Sequence, residues 1–141
     1  MAISQAMCSS FKQQILLGEH DMDTDTIKIA LYTSAATLGA STTAYTTSNE
    51  VSSSGTGYTA GGNTLTGAVV TLDGTTAIVD FNDTTWTSVT FTARGALIYN
   101  ASKSNNAIAV LDFGADKTAT SGNFTVQFPA ATAAAAIVRS A

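Results

Sequence analysis

The densest group of potential ligands in the chain is Glu19, Asp21, Asp23 and Asp25. In an extended segment alternate side chains fall on one side, so Asp21, Asp23 and Asp25 could face a hard cation such as Ca²⁺. An EF-hand loop starting at Asp21 would need glycine at its sixth position and glutamate at its twelfth. Thr26 and Tyr32 stand there instead, and the motif fails. The three aspartates stay as metal candidates set against a solvated acidic turn, which is the better reading. His20 is the single histidine and Cys8 the single cysteine. A nucleophile needs a base brought against it, but Cys8 belongs to an apolar helix stripe and His20 reads as an exposed structural histidine. No G-x-S-x-G elbow occurs. Gly55-Thr56-Gly57 and Gly61-Gly62 lack the lysine and the strand-to-helix setting of a phosphate loop. Glycoside hydrolysis needs two facing carboxylates. Outside the acidic turn the candidates are Asp80, Asp83, Asp112 and Asp116, two of them in expected loops. The residues therefore argue against an enzyme and call for no cofactor.

The elements that would position these groups are mostly strands. Ile3, Met7, Phe11 and Ile15 recur every four residues, predicting a helix over 3–17 within an N-terminal segment 1–20, with Ser4 as N-cap and Gly18 as C-cap. Ile27 to Tyr32 alternates as a first strand. Residues 33–62, rich in Thr, Ser, Ala and Gly, read as a long loop. Tyr45, Val51 and Tyr58 are its anchors and candidate interaction residues, since a loop of that length binds something or packs on a neighbour. Leu65–Leu72 and Ala77–Phe81 are expected to pair across Asp73-Gly74, a type I′ hairpin signal. Val89–Tyr99 and Ile108–Phe113 make a second pair, Asn123–Phe128 another strand, and Ile137-Val138 a final one. Residues 130–136 have helical propensity. Arg94, in an otherwise neutral strand, needs a carboxylate partner, with Asp112 and Asp80 as the choices. Trp86 is expected at a sheet edge, as a further interaction candidate. The sum is a single mainly β domain: a β-sandwich, Ig-like or jelly-roll-like, of six to eight antiparallel strands with one N-terminal helix.

Composition narrows the partners. The net charge is −4 and the six basic residues are scattered, which does not suit nucleic acid. Charged residues make up only 11%, with Thr and Ser supplying the polarity. That favours pleated surfaces over disorder. No apolar run approaches membrane-spanning length, and the first residues lack a signal-peptide pattern, so neither a membrane nor export by that route is expected.

Several stretches carry a resemblance: AISQAMCSSFKQQIL, IKIALYTSAATLGASTTAYTT, YTAGGNTL, ARGALIYN, AVLDFGADKT and FTVQFP. Together they cover nearly the whole chain. They resemble a group of small virion-associated proteins of tailed bacteriophages. None is a catalytic motif. The resemblance implies a particle component made in the host cytoplasm and carried on the virion. One implied role is a head decoration (cement) protein bound to the major capsid protein and to copies of itself, with a trimer as the expected assembly. The other is a tail or fibre component that recognises a host receptor or glycan.

Overall fold

The computed structural model describes residues 2–129, 132 and 136–140. Two antiparallel sheets share one core, and the fold is the mainly β sandwich with a short helix near its N-terminus. In chain order the elements are β1 (Ala6–Met7), α1 (Ser9–Leu16), β2 (Ile27–Tyr32), β3 (Asn63–Thr64), β4 (Val69–Asp73), β5 (Thr76–Asp80), β6 (Thr84–Asn100), β7 (Asn106–Val126) and β8 (Val138–Ser140). The larger sheet runs β1-β7-β6-β2-β3 and the smaller β4-β5-β8.

Strands β2 and the upper half of β6 form the centre. Their register runs from Ile27↔Asn100 to Tyr32↔Gly95. Ile29, Ala30, Leu31, Ala96, Leu97 and Ile98 are fully buried, so both faces are covered. Gly95 is required by this packing, since a Cβ there would press on the Leu111 carbonyl and on Ile3. Strands β6 and β7 pair from Asn100↔Asn106 to Thr84↔Val126, and beyond Gly95, where β2 ends, they continue as a two-stranded ribbon. The turn residues Ser121-Gly122 stand between two expected strands, Ile108–Phe113 and Asn123–Phe128. The chain instead absorbs them: Gly114 and Ser121 take positive φ, and the register slips between Ala93 and Gly95 and between Val89 and Phe91. Bulges of this kind bend a strand without ending it.

The helix is shorter than its four-residue spacing predicted. It spans Ser9–Leu16, and its N-cap is Cys8, without a side-chain cap, instead of Ser4. Residues before it are extended. Ile3 bridges Leu38, and Ala6-Met7 pairs with Ala109-Val110. The sheet edge at β7 offers backbone partners to this segment and outcompetes a further helical turn. The C-cap is Leu17 instead of Gly18, which follows it with φ +73°. The first hairpin also differs. Asp73 pairs with Thr76, so the loop is Gly74-Thr75, and Gly74 alone has positive φ, a type II′ turn in place of type I′. The final strand is β8, paired with β5. The helical propensity of 130–136 falls largely outside the described residues.

Candidate interaction surface

The acidic segment is a turn. The Asp21 carboxylate accepts the N–H groups of Asp23 and Thr24 at 3.2 Å each, and Asp25 Oδ2 accepts that of Asp21 at 3.0 Å. Among the described residues no group of three His, Cys, Asp or Glu side chains is placed to hold a metal ion. Asp21 and Asp25 thus satisfy backbone donors, and Asp23 lies exposed beside them.

Asn100, fully buried, joins this turn to the ribbon. Its amide nitrogen donates to Asp25 Oδ2 at 2.8 Å and to His20 Nδ1 at 3.0 Å, and its oxygen accepts the Ser102 N–H. An acceptor at Nδ1 leaves Nε2 carrying the proton toward Gln14 Oε1, at 2.8 Å. His20 is therefore half-buried and bonded at both nitrogens, with its ring 5.0 Å from Phe11. Burial lowers its pKa, against the opposing pull of Asp25 and Glu19. The Asn100 hydrogen bond holds Asp25 below the usual carboxylate range.

The segment 33–62 is fastened to the sheet at Glu50. Tyr45 donates to Glu50 Oε1 at 2.7 Å, Tyr58 to Oε2 at 2.6 Å, and the Gly61 N–H to Oε2 at 2.8 Å. The Tyr58 oxygen also accepts the Leu31 N–H, Tyr99 donates to the Gly61 carbonyl, and Tyr32 to that of Thr46. Tyr45 stacks on Tyr99 with centroids 4.7 Å apart. Burial raises all four phenols, Tyr99 to about 12, so each stays protonated and able to donate. Gly62, with φ +79°, lies so close to β2 that a Cβ would run into the Ile29 carbonyl. Sequence reasoning singled out Tyr45, Val51 and Tyr58 but missed Glu50, whose donors are Tyr45, Tyr58 and Gly61.

As candidate interaction residues, Val51, Tyr58 and Trp86 prove to be interior, at 5% exposure or less, and Tyr45 is half-buried. Trp86 lies on the part of β6 that pairs with β7 alone, but its side chain is buried against Tyr58 and Phe124. Trp86 and Phe91 share one face of β6, and that face closes on Tyr58. Cys8 is fully buried, and burial pushes its thiol up to about 11. Arg94 Nε meets Asp112 Oδ1 at 3.3 Å, so of the two carboxylates the sequence left open it is Asp112 that pairs. The Gly114 N–H, then Arg94, holds Asp112 low.

Apolar side chains reach the surface elsewhere. Leu16 is 89% exposed and Leu17 65%, at the end of α1, with Ile15 beside them. On β4, Val69, Val70 and Leu72 are all at least half exposed. Between the two lies a groove of about 630 Å³ floored by Phe11, Ile15, Met22, Val70, Ile78 and Val138. Neither Leu16-Leu17 nor β4 had any signal as a contact site, because a helical stripe and a hairpin strand both read as core. Comparison of the chain with protein-family models, curated proteins and solved structures finds no match.

Proposed function

We propose that this chain is a non-enzymatic structural component of a tailed-phage particle, a head decoration protein that binds the major capsid protein and copies of itself and so stabilises the head. The observation that carries the reading is where side chains capable of chemistry sit, and where apolar ones do. His20, Asp25, Glu50 and Asp112 each hold the fold together through hydrogen bonds. Leu16, Leu17 and Leu72 are exposed apolar side chains on α1 and β4, and apolar side chains turned to the surface in number mark a protein interface. The resemblance of the strand and turn sequences to virion proteins supplies the particle context.

The low charge supports the same reading, since close packing against neighbours removes few ions from water. No helix among the described residues is long and apolar enough to cross a membrane. Exposed aromatics among Tyr45, Tyr58 and Trp86 would favour the tail or fibre alternative; Tyr58 and Trp86 are interior and Tyr45 is half-buried, which lends it no support. Mass spectrometry of particles purified from the encoding phage tests the proposal. Copies in the hundreds per head are expected. A handful of copies would favour the tail, and absence from the particle would overturn both.

A further inference from the structure

The sheet edges are treated unequally. Beyond Asp112 the free edge of β7 is irregular, with positive φ at Gly114 and Ser121 and with Asp116 and Lys117 exposed. Bulges and charges of this sort keep an edge from accepting another strand. Strands β1 and β3 are two residues long, and β8 three. Strand β4 has no such protection. It is five regular residues, VVTLD, without lysine, proline or bulge, and none of its side chains is buried.

The hairpin fixes which backbone groups of β4 point outward. A two-residue loop makes Asp73 and Thr76 a hydrogen-bonded pair. By alternation Val69 and Thr71 also bond to β5, and the N–H and C=O of Val70 and Leu72 face away from the sheet. We propose that β4 pairs antiparallel with β4 of a second copy, about a two-fold axis at Thr71. In that register each Val70 lies opposite Leu72 of the second copy, and each such pair exchanges two N–H···O bonds. Apolar side chains meet on the face that borders the α1 groove, and Thr71 meets its counterpart on the other, both favourable cross-strand pairs. Each Asp73 faces Val69 of the second copy, which keeps the two carboxylates at opposite ends of the joint. The strand is thus complementary to itself in bonding and side-chain pairing, and no like charges are opposed. Such a joint is isologous and closes at two copies, so the trimer implied by the resemblance would need another surface. The inference does not rest on the virion reading, because self-pairing is read on the purified chain whatever the particle contains.

Light scattering on the full chain after size exclusion, over a concentration series, is expected to give twice the 14.4 kDa chain mass. Thr71→Lys sets like charges face to face and should return the monomer mass. Thr71→Cys places two thiols across the axis with Cβ atoms about 4.5–5.5 Å apart, close to disulfide reach. Copper phenanthroline should then link the dimer covalently. Val69→Cys, with its counterpart roughly 13 Å away along the strands, should not link. Cys8 is fully buried and does not interfere. A monomer at every concentration, or a dimer or trimer that Thr71→Lys leaves intact and Thr71→Cys fails to link, overturns the proposal.

Discussion

Residues 33–62 and strand β4 are held in place by opposite means. The first has almost no regular structure, yet it buries Val51 and Tyr58 and is bonded through Glu50 at three points. The second is fully regular and buries none of its five side chains. Regular hydrogen bonding and burial are thus separate properties. An irregular segment is made permanent by side chains that reach into the body, whereas a ladder with exposed faces is a surface awaiting a partner. In a chain this poor in charge, the exposed ladder is the better guide to where contacts form.

Substitutions at the two regions should sharpen that contrast. The largest effect is expected from Gly62→Ala. It combines an unfavourable φ with a clash against the Ile29 carbonyl and should cost about 3 kcal/mol or more in urea unfolding. Glu50→Ala leaves the Tyr45 and Tyr58 hydroxyls and the Gly61 N–H without their acceptor. A loss of about 2–4 kcal/mol is expected, along with faster proteolysis within 33–62. Acid should loosen the second irregular segment, the 19–25 turn. Since the folded pKa of His20 lies below its usual 6.5, the unfolded chain takes up the proton first. Stability is then full above that value and falls as pH drops below it. His20→Gln should flatten this part of the pH profile, and a profile identical to wild type would remove His20 from the account. The smallest effect belongs to Leu72→Lys, within about 0.5 kcal/mol when measured on dilute protein. If it costs as much as Glu50→Ala, β4 is interior after all and the contrast fails.

What could be read from the chain follows the range of each interaction. Ile27–Tyr32 and the paired runs around Val89–Tyr99 and Ile108–Phe113 rest on local alternation or on one strand register, and these were legible; that Arg94 needs a carboxylate was legible too, but not the choice of Asp112 over Asp80. Ile3 and Met7 were misassigned because a four-residue spacing does not reveal that a sheet edge waits nearby. The continuity of β7 was hidden because Gly114 and Ser121-Gly122 look alike as turns and as bulges. The Glu50 fastening was invisible for a different reason: its meaning depends on Tyr45, Tyr58 and Gly61 converging, and no periodicity records that. Exposure of β4 depends on where the larger sheet ends, which is a property of the assembled fold.

The β6–β7 ribbon also bears on how the chain reaches its fold. Its pairs run from six residues apart at Asn100↔Asn106 to forty-two at Thr84↔Val126. Closing a short loop loses less entropy than closing a long one, so the ribbon is expected to zip from its closed end, where Ser104 and Asn105 already adopt positive φ. Partners that must cross the 33–62 segment to reach β2 join later. Substitutions at Asn105 should then slow refolding, and those at Glu50 should mainly hasten unfolding, which stopped-flow chevrons would separate.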